Sequence, residues 1–228
     1  MRKLLAIWLG KILTIVGKTV GKKSSSSPGA YALKICPDLV KGLEKCVSNG
    51  IIVTCGTNGK TTTNNLMASA LEAKGYKVIC NKLGANMLSG IATTVLQEMS
   101  IFGKLKADYA CLEIDEAYTP IVFDYVKPDV MVITNLFRDQ LDRYGEIDIT
   151  SDIIKRAIKK VPNLKLVLNG DDPLCVQFGR EENVKAYYYG ISEKVLPQLD
   201  DTKEGRFCPV CGEEQKYNYY HYSQLGDF

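Results

Sequence analysis

The chain has 228 residues, of which 46% are hydrophobic and 24% are charged, and its formal net charge is +3 at neutral pH. This composition is ordinary for a globular protein, and the length is sufficient for one substantial α/β domain with an appendage. Residues 1–50 carry nine Lys or Arg against two acidic residues, so the positive charge belongs to the N-terminus. The main body is therefore not expected to bind nucleic acid.

Residues 1–23 begin a basic helical leader that we assign to residues 1–49. Lys11 interrupts the apolar run and no small-residue cleavage site follows, which excludes a secretory signal. The longest uncharged run has seven residues, too few to span a membrane. On a helix, the lysines gather on one side and Leu5, Trp8 and Ile12 gather away from them. Such a helix suits either the inner face of the membrane or the surface of its own domain. Residues 24–29 are rich in Ser, Pro and Gly and are predicted to form a mobile loop.

The next element carries the clearest chemical signal. Residues 51–55 are apolar and predict a buried strand, a glycine-containing loop and Lys60 follow, and residues 64–74 have helical periodicity. Loop amides and the positive helix end bind polyphosphate, Lys60 adds charge, and the Thr61 hydroxyl can ligate Mg²⁺. Thr54 stands where the common P-loop has its first glycine, so this loop is a shorter form, and the alternative is a purely structural turn. The predicted nucleotide-binding residues are Gly56, Thr57, Asn58, Gly59, Lys60, Thr61 and Thr62.

Strands and helices then alternate along the chain. Strands are predicted at 76–80, 109–114, 130–134, 164–168 and 184–189, and helices at 91–99 and 151–160. This alternation predicts an α/β domain over residues 50–195 with a mostly parallel sheet, whose ligands bind at the carboxyl ends of the strands.

Polar residues follow three of these strands. They are Glu113 to Glu116, then Asn135 with residues 138–143, and finally Asn169 to Asp172. Because the carboxyl ends of parallel strands share one edge, we expect these clusters to converge on the phosphate loop, where carboxylates would hold Mg²⁺.

The eight cysteines fall into two groups. Six are scattered through apolar runs and are typical of reduced core residues in a cytosolic protein. Cys208 and Cys211 have zinc-knuckle spacing, and we assign residues 196–228 to an incomplete zinc ribbon. A structural zinc needs four ligands, and His221 adds at most one, so we expect the others beyond Phe228. The alternative is a reduced cysteine pair without metal.

The motifs together resemble those of the Mur ligases, the ATP-dependent amide-forming enzymes of peptidoglycan synthesis. The similar segments are Gly56–Thr61, Cys111–Glu113, Thr134–Asp142 and Leu168–Pro173. Within that superfamily, residues 135–146, residues 32–35 and the Cys-Pro-x-Cys motif are most similar to the MurT-type ligase subunits of lipid II isoglutaminyl synthases. Gln140 stands where other Mur ligases have a metal-binding histidine, and the usual UDP-sugar-binding N-terminal domain is replaced by the basic leader.

This resemblance implies an ATP-binding ligase with Mg²⁺ and a structural zinc. It implies amidation of the D-glutamate α-carboxylate of lipid II through an acyl phosphate, with ammonia from a GatD-type glutaminase partner. Alternatives are another Mur or folylpolyglutamate-synthase-type ligase, or a non-catalytic ATP-binding scaffold subunit. The scaffold alternative arises because the resemblance implies a further C-terminal domain, without which this chain alone is expected to be inactive. The implied catalytic residues are Lys60, Glu113 and Glu116, and the implied Mg²⁺ ligands are Thr61, Glu113 and Gln140. Further nucleotide contacts or braces are implied at Asn135, Asp139, Asn169, Asp171 and Asp172, and Lys155 is a candidate for the lysine that many Mur ligases carbamylate.

Overall fold

The structure is a computed structural model that describes residues 1–19, 25–137, 146–181, 184–193, 207–209, 211–222 and 225–228. Within these residues the helices are α1 (Arg2–Thr19), α2 (Ser27–Ile35), α3 (Lys60–Ala73), α4 (Leu88–Glu98), α5 (Thr119–Tyr125), α6 (Glu146–Lys159) and α7 (Pro173–Val176). The strands are β1 (Val47–Cys55), β2 (Val78–Cys80), β3 (Ala107–Glu113), β4 (Val130–Ile133), β5 (Lys165–Asn169), β6 (Lys185–Tyr189), β7 (Tyr219–Tyr222) and β8 (Leu225–Asp227).

Strands β1 to β6 form one parallel sheet in the order β2-β3-β1-β4-β5-β6. Strand β1 is central, and Val53 is paired with Leu112 of β3 on one side and Met131 of β4 on the other. All three side chains are fully buried. The predicted α/β fold with a parallel sheet is confirmed, and the carboxyl ends of all six strands lie along one edge.

Helix α1 packs on the domain through one face. Its buried residues are Ala6, Ile7, Gly10 and Thr14, and the helix contacts α2 and α4. A side chain at Gly10 would meet Leu96 of α4, because a Cβ there would lie 2.6 Å from Leu96 Cδ1. This face of α1 therefore packs on the surface of its own domain, which is one of the two settings that the sequence allows.

Helix α2 occupies part of the segment for which the sequence predicts a mobile loop. It begins at Ser27 with Pro28 in its first turn, where proline loses no hydrogen bond and its fixed φ angle suits a helix. Gly29 donates its amide to Thr93 Oγ1 of α4 at 2.8 Å, which fixes the start of α2 against the domain. The prediction of a loop through residues 27–29 was therefore wrong.

Several helices begin earlier than the sequence predicts. Helix α3 starts at Lys60 rather than at residue 64, and α4 starts at Leu88 rather than at residue 91. The first turn of α3 is polar, and that of α4 contains Ser89 and Gly90, so neither turn shows clear apolar periodicity. Among the described helices, none has the length and apolar character needed to cross a membrane.

Part of the C-terminal segment packs on the sheet domain. Strands β7 and β8 form an antiparallel pair, and Gly226 donates its amide to the Asp171 carbonyl at 2.9 Å. His221 is buried, and its Nε2 lies 3.2 Å from the Ile191 carbonyl oxygen. The described part of this hairpin therefore rests against the loops that follow β5 and β6.

Candidate active site

The phosphate loop connects β1 to α3 and depends on two glycines. Gly56 and Gly59 have φ angles of 123° and 79°, a region that L side chains rarely adopt. A Cβ at Gly56 would lie 2.8 Å from the Asn135 carbonyl oxygen, so the segment after β4 approaches the loop too closely for any other residue. The first turn of α3 follows at once, and its free amides make this end of the helix positive.

Residues 134–137 brace the phosphate loop from the end of β4. Asn58 donates its amide to Asn135 Oδ1 at 2.9 Å, and Asn135 Nδ2 donates to the Asn58 carbonyl at 3.1 Å. Thr134 Oγ1 donates to the same carbonyl at 2.7 Å, and Thr57 N donates to the Asn135 carbonyl at 2.8 Å. The structure thus brings Asn135 to the loop, as the sequence predicts, and uses its side chain to hold the loop's backbone.

Lys60 and Glu116 pair inside this loop. Lys60 Nζ lies 3.1 Å from Glu116 Oε1, and each side chain is 15% exposed. The same carboxylate oxygen accepts the Gly56 amide at 2.6 Å. Lys60 also donates to the carbonyls of Gly56 at 2.5 Å and Thr57 at 3.1 Å. Burial raises the pKa of Glu116, and the nearby Lys60 charge opposes that shift. Glu116, predicted from the sequence as a group near the metal, therefore contacts the lysine and the loop amide.

The predicted metal ligands Thr61 and Glu113 meet at the end of β3. Thr61 Oγ1 donates to Glu113 Oε2 at 2.7 Å, and Glu113 is only 2% exposed. A Cβ at Gly84 would lie 3.3 Å from Thr61 Oγ1 and 3.6 Å from Glu113 Oε2, so the loop after β2 closes over this pair. A carboxylate beside a hydroxyl offers the oxygen ligands that Mg²⁺ prefers.

Two asparagines that the sequence analysis did not single out hold Glu113. Asn81 Oδ1 accepts the Glu113 amide and Asn81 Nδ2 donates to the Glu113 carbonyl, both at 2.8 Å. Asn86 Nδ2 lies 3.4 Å from Glu113 Oε1. The only sequence signal for them is their position in the polar, glycine-containing loop after β2, because ligands were expected at the carboxyl ends of the strands.

The cluster after β5 is built into the protein backbone. Asn169 Nδ2 donates to the Thr134 carbonyl at 3.0 Å. Asp172 is fully buried, and its two oxygens accept the amides of Leu136 at 2.8 Å and Leu174 at 3.0 Å. Asp171 Oδ2 accepts the Ile191 amide at 2.9 Å. The resemblance implies that this cluster either contacts the nucleotide or braces the site, and these contacts support bracing.

Other predicted site residues contribute less. Thr62 is exposed in the first turn of α3, and Lys155 is half-buried on α6. Asp139 and Gln140 lie outside the described residues. Over the ranges that the structure describes, no group of three or more His, Cys, Asp or Glu is placed to hold a metal ion. Cys208, Cys211 and His221 therefore do not come together as three zinc ligands.

Comparison with known proteins identifies the domain. A model of the Mur ligase middle domain matches residues 53–228. The chain is 37% identical over all of its 228 residues to the MurT subunit of lipid II isoglutaminyl synthase (glutamine-hydrolyzing) from Staphylococcus aureus (strain COL), covering 51% of that protein. It is 38% identical over 206 residues to the same subunit from Streptococcus pneumoniae (strain ATCC BAA-255 / R6), which is 90% of this chain and 45% of the relative.

Solved structures share the fold. The MurF ligase of Thermotoga maritima in complex with ADP has a TM-score of 0.57 and 19% identity, over 71% of this chain and 37% of that chain. MurF from Acinetobacter baumannii gives a TM-score of 0.57 and 17% identity, over 71% and 35%. The chain spans about half the length of the curated relatives it matches.

Proposed function

The chain belongs to the Mur ligase family, and we propose that it is the nucleotide-binding part of an ATP-dependent carbon–nitrogen ligase of peptidoglycan synthesis. The observation that carries this proposal is the Thr61–Glu113 pair at 2.7 Å beside a glycine loop and Lys60. A glycine loop, a lysine and a hydroxyl–carboxylate pair are the groups that bind and align a nucleoside triphosphate with its metal ion.

The substrate that we propose is the stem peptide of lipid II. The support is that the relatives are named as the MurT subunit of a glutamine-hydrolysing lipid II isoglutaminyl synthase. An oxygen of the D-glutamate α-carboxylate attacks the γ-phosphorus of ATP, giving an acyl phosphate and ADP. Ammonia then attacks the acyl carbon, phosphate leaves with the bonding electrons, and loss of a proton yields the amide. Amidation of this carboxylate converts the D-glutamate residue to D-isoglutamine.

The described residues position these reactants and offset their charge. Lys60 and the amides of the first turn of α3 would donate to phosphate oxygens and offset their charge. Preorganised donors of this kind account for much of the rate of phosphoryl transfer. Thr61 and Glu113 would hold Mg²⁺, which supplies positive charge to the phosphates when bound. Their two oxygens fit this ion, which keeps several positions for phosphate and water. The braces from Asn81 and Asn135 keep both halves of the site in place.

The ammonia requires a second subunit. The relatives are named as subunits of a glutamine-hydrolysing synthase, and we propose that a glutaminase of the GatD type supplies ammonia to this ligase. We also propose that the complex works at the inner face of the cytoplasmic membrane, because lipid II is a membrane-bound substrate.

Zinc is the second metal that we propose, and it is a structural one. Cys208 and Cys211 would supply two thiolates, while the described residues alone do not complete a tetrahedral site, so the remaining ligands lie outside them. Metal analysis of the full-length protein should find about one zinc per chain, as expected for one closed structural site. Cys208→Ser should remove the zinc while ADP binding persists.

The test of the ligase assignment is amide formation. The full-length protein, in complex with its glutaminase subunit, should convert lipid II to the amidated product only with ATP and either glutamine or ammonium. Ammonium should bypass the glutaminase, whereas nothing should replace ATP. Nucleotide binding without amidation under both nitrogen sources would favour the non-catalytic scaffold, and glutamate addition to a folate would favour the folylpolyglutamate-type alternative.

A further inference from the structure

Helix α1 exposes an apolar face although its other face is packed. Its outward side chains are 48–63% exposed, and they are Leu5, Trp8, Ile12, Ile15 and Val16. The opposite face is buried against α2 and α4. The exposed side chains are therefore on a different face of α1 from the one that packs on the domain.

The loop after α4 extends this face. Trp8 Nε1 donates to the Ile101 carbonyl at 2.9 Å, and a Cβ at Gly103 would lie 3.0 Å from Ile7 Cδ1, so the loop lies directly against α1. Ile101 and Phe102 are 57% and 72% exposed. We call the set of Leu5, Trp8, Ile12, Ile15, Val16, Ile101 and Phe102 the apolar ridge. Exposed apolar clusters of this kind mark binding surfaces for lipid or protein.

The charged residues of α1 and of the loop after α4 have one sign. Residues 1–37 contain no Asp or Glu, and neither do residues 99–106. The cations on α1 and this loop are Arg2, Lys3, Lys11, Lys18, Lys104 and Lys106. At 100° per residue, Lys11 and Lys18 lie beside the apolar stripe of α1 rather than within it. Helix α1 and this loop therefore combine exposed apolar side chains with cationic ones, and Glu98, exposed at the C-terminal end of α4, is the nearest acidic residue in sequence to the loop.

We propose that the apolar ridge docks the protein on an anionic phospholipid surface, with α1 lying in the plane of the membrane. The apolar side chains would enter the boundary between headgroups and acyl chains, and the lysines would meet lipid phosphates. A protein partner is disfavoured because the ridge has no acidic residue with which to select a partner's cations. The proposal concerns α1 and its loop and does not depend on the ligase reaction.

Trp8 allows a direct test because it is the single tryptophan of the chain and lies on the ridge. Its fluorescence should shift to the blue when the full chain meets vesicles of equal parts phosphatidylglycerol and phosphatidylcholine. Vesicles of phosphatidylcholine alone should give little shift. Raising the ionic strength from about 0.01 M to about 1 M shortens the Debye length from about 30 Å to about 3 Å, and should reduce binding without any mutation.

A triple variant tests the apolar contribution. Ile12→Ser, Ile15→Ser and Phe102→Ser together should weaken vesicle binding on the order of 100-fold, since each side chain loses much of its transfer free energy. The matched control replaces three exposed apolar residues elsewhere with serine. They are Leu66 on α3, Ile121 on α5 and Ile149 on α6, which are 69%, 47% and 61% exposed. The control triple should bind vesicles as the unmodified chain does, and circular dichroism should show both variants folded.

Three outcomes would overturn the proposal. The first is an unchanged Trp8 spectrum in the presence of anionic vesicles while ADP binding is intact. The second is equal binding to neutral vesicles without salt dependence. The third is a concentration-dependent dimer that shifts the Trp8 spectrum in the absence of lipid, which would assign the ridge to a second copy of the chain. None of these results bears on the ligase reaction, which is measured separately by amide formation.

Discussion

Lys60 and Glu116 form an ion pair within the phosphate loop, with Nζ 3.1 Å from Oε1. The same oxygen accepts the Gly56 amide at 2.6 Å. A carboxylate thus contacts both a lysine and a loop amide, which are two kinds of donor that bind phosphate oxygens. Nucleotide binding must either displace this carboxylate or share its donors.

Lys60→Ala should abolish ligase activity. Removing the ammonium leaves phosphate charge uncompensated, and losing one preorganised donor typically costs about 10²–10³-fold in rate. The measurement is amide formation by the two-subunit enzyme under saturating ATP. Lys74→Ala is the control, because Lys74 is exposed beyond the C-terminal end of α3, and full activity of Lys60→Ala would show that the loop assignment is wrong.

Glu116→Gln should strengthen ADP binding. The neutral amide competes less well for Lys60 and the Gly56 amide, and losing one charge-assisted contact changes affinity by about tenfold. Isothermal titration calorimetry with ADP measures the effect. Glu72→Gln is the control, since Glu72 pairs with Lys82 in an exposed salt bridge. Weaker ADP binding in Glu116→Gln would instead mean that the carboxylate orients Lys60 for the nucleotide.

Glu116 should also make stability depend on pH. Burial raises its pKa in the folded protein above the ordinary 4.5, so the folded state holds this proton more tightly than the unfolded state does. The stabilisation is complete below pH 4.5 and is lost as pH rises through the raised pKa. Thermal unfolding at a series of pH values should show the stability of the unmodified chain falling relative to that of Glu116→Gln as pH rises through this range. A rise in the stability of the unmodified chain relative to Glu116→Gln would contradict the shift.

The sequence predicted the parts of this site that follow from local patterns. Gly56, Gly59, Lys60 and Thr61 form a contiguous motif, and a parallel sheet places Glu113 beside it. These features depend on spacing and on the shared edge of the strands, both of which can be inferred from one chain.

The rest of the site depends on contacts distant in sequence. The pairing of Asn135 with the Asn58 backbone spans 77 residues, and that of Asn81 with Glu113 spans 32. Nothing in local periodicity distinguishes an asparagine that braces a loop from one that faces solvent. Glu116 is a similar case, because its contact with Lys60 depends on the short turn after β3 that directs the side chain back to β1.

Gly84→Ala should weaken nucleotide binding in the presence of Mg²⁺. A methyl group there would lie 3.3 Å from Thr61 Oγ1 and would crowd the pair with Glu113. Gly75→Ala is a matched control: its φ is 87° against 68° for Gly84, and a Cβ at Gly75 meets nothing within 4 Å. Both variants should lose about 1 kcal/mol from backbone strain, whereas only Gly84→Ala should bind Mg²⁺–ADP more weakly. Equal binding by both would show that the loop after β2 does not shape the metal site.

Asp172→Ala should destabilise the fold more than it impairs nucleotide binding. The carboxylate is fully buried and accepts the amides of Leu136 and Leu174, so its removal takes this acceptor away from two backbone donors. A buried donor left without an acceptor costs about 1–3 kcal/mol, so losing both contacts gives an expected loss of about 2–6 kcal/mol in the free energy of unfolding. Denaturant unfolding measures this loss, and Asp152→Ala on the exposed side of α6 should change it little. A large loss of ADP affinity with unchanged stability would instead identify Asp172 as a nucleotide contact, the other role that family resemblance implies.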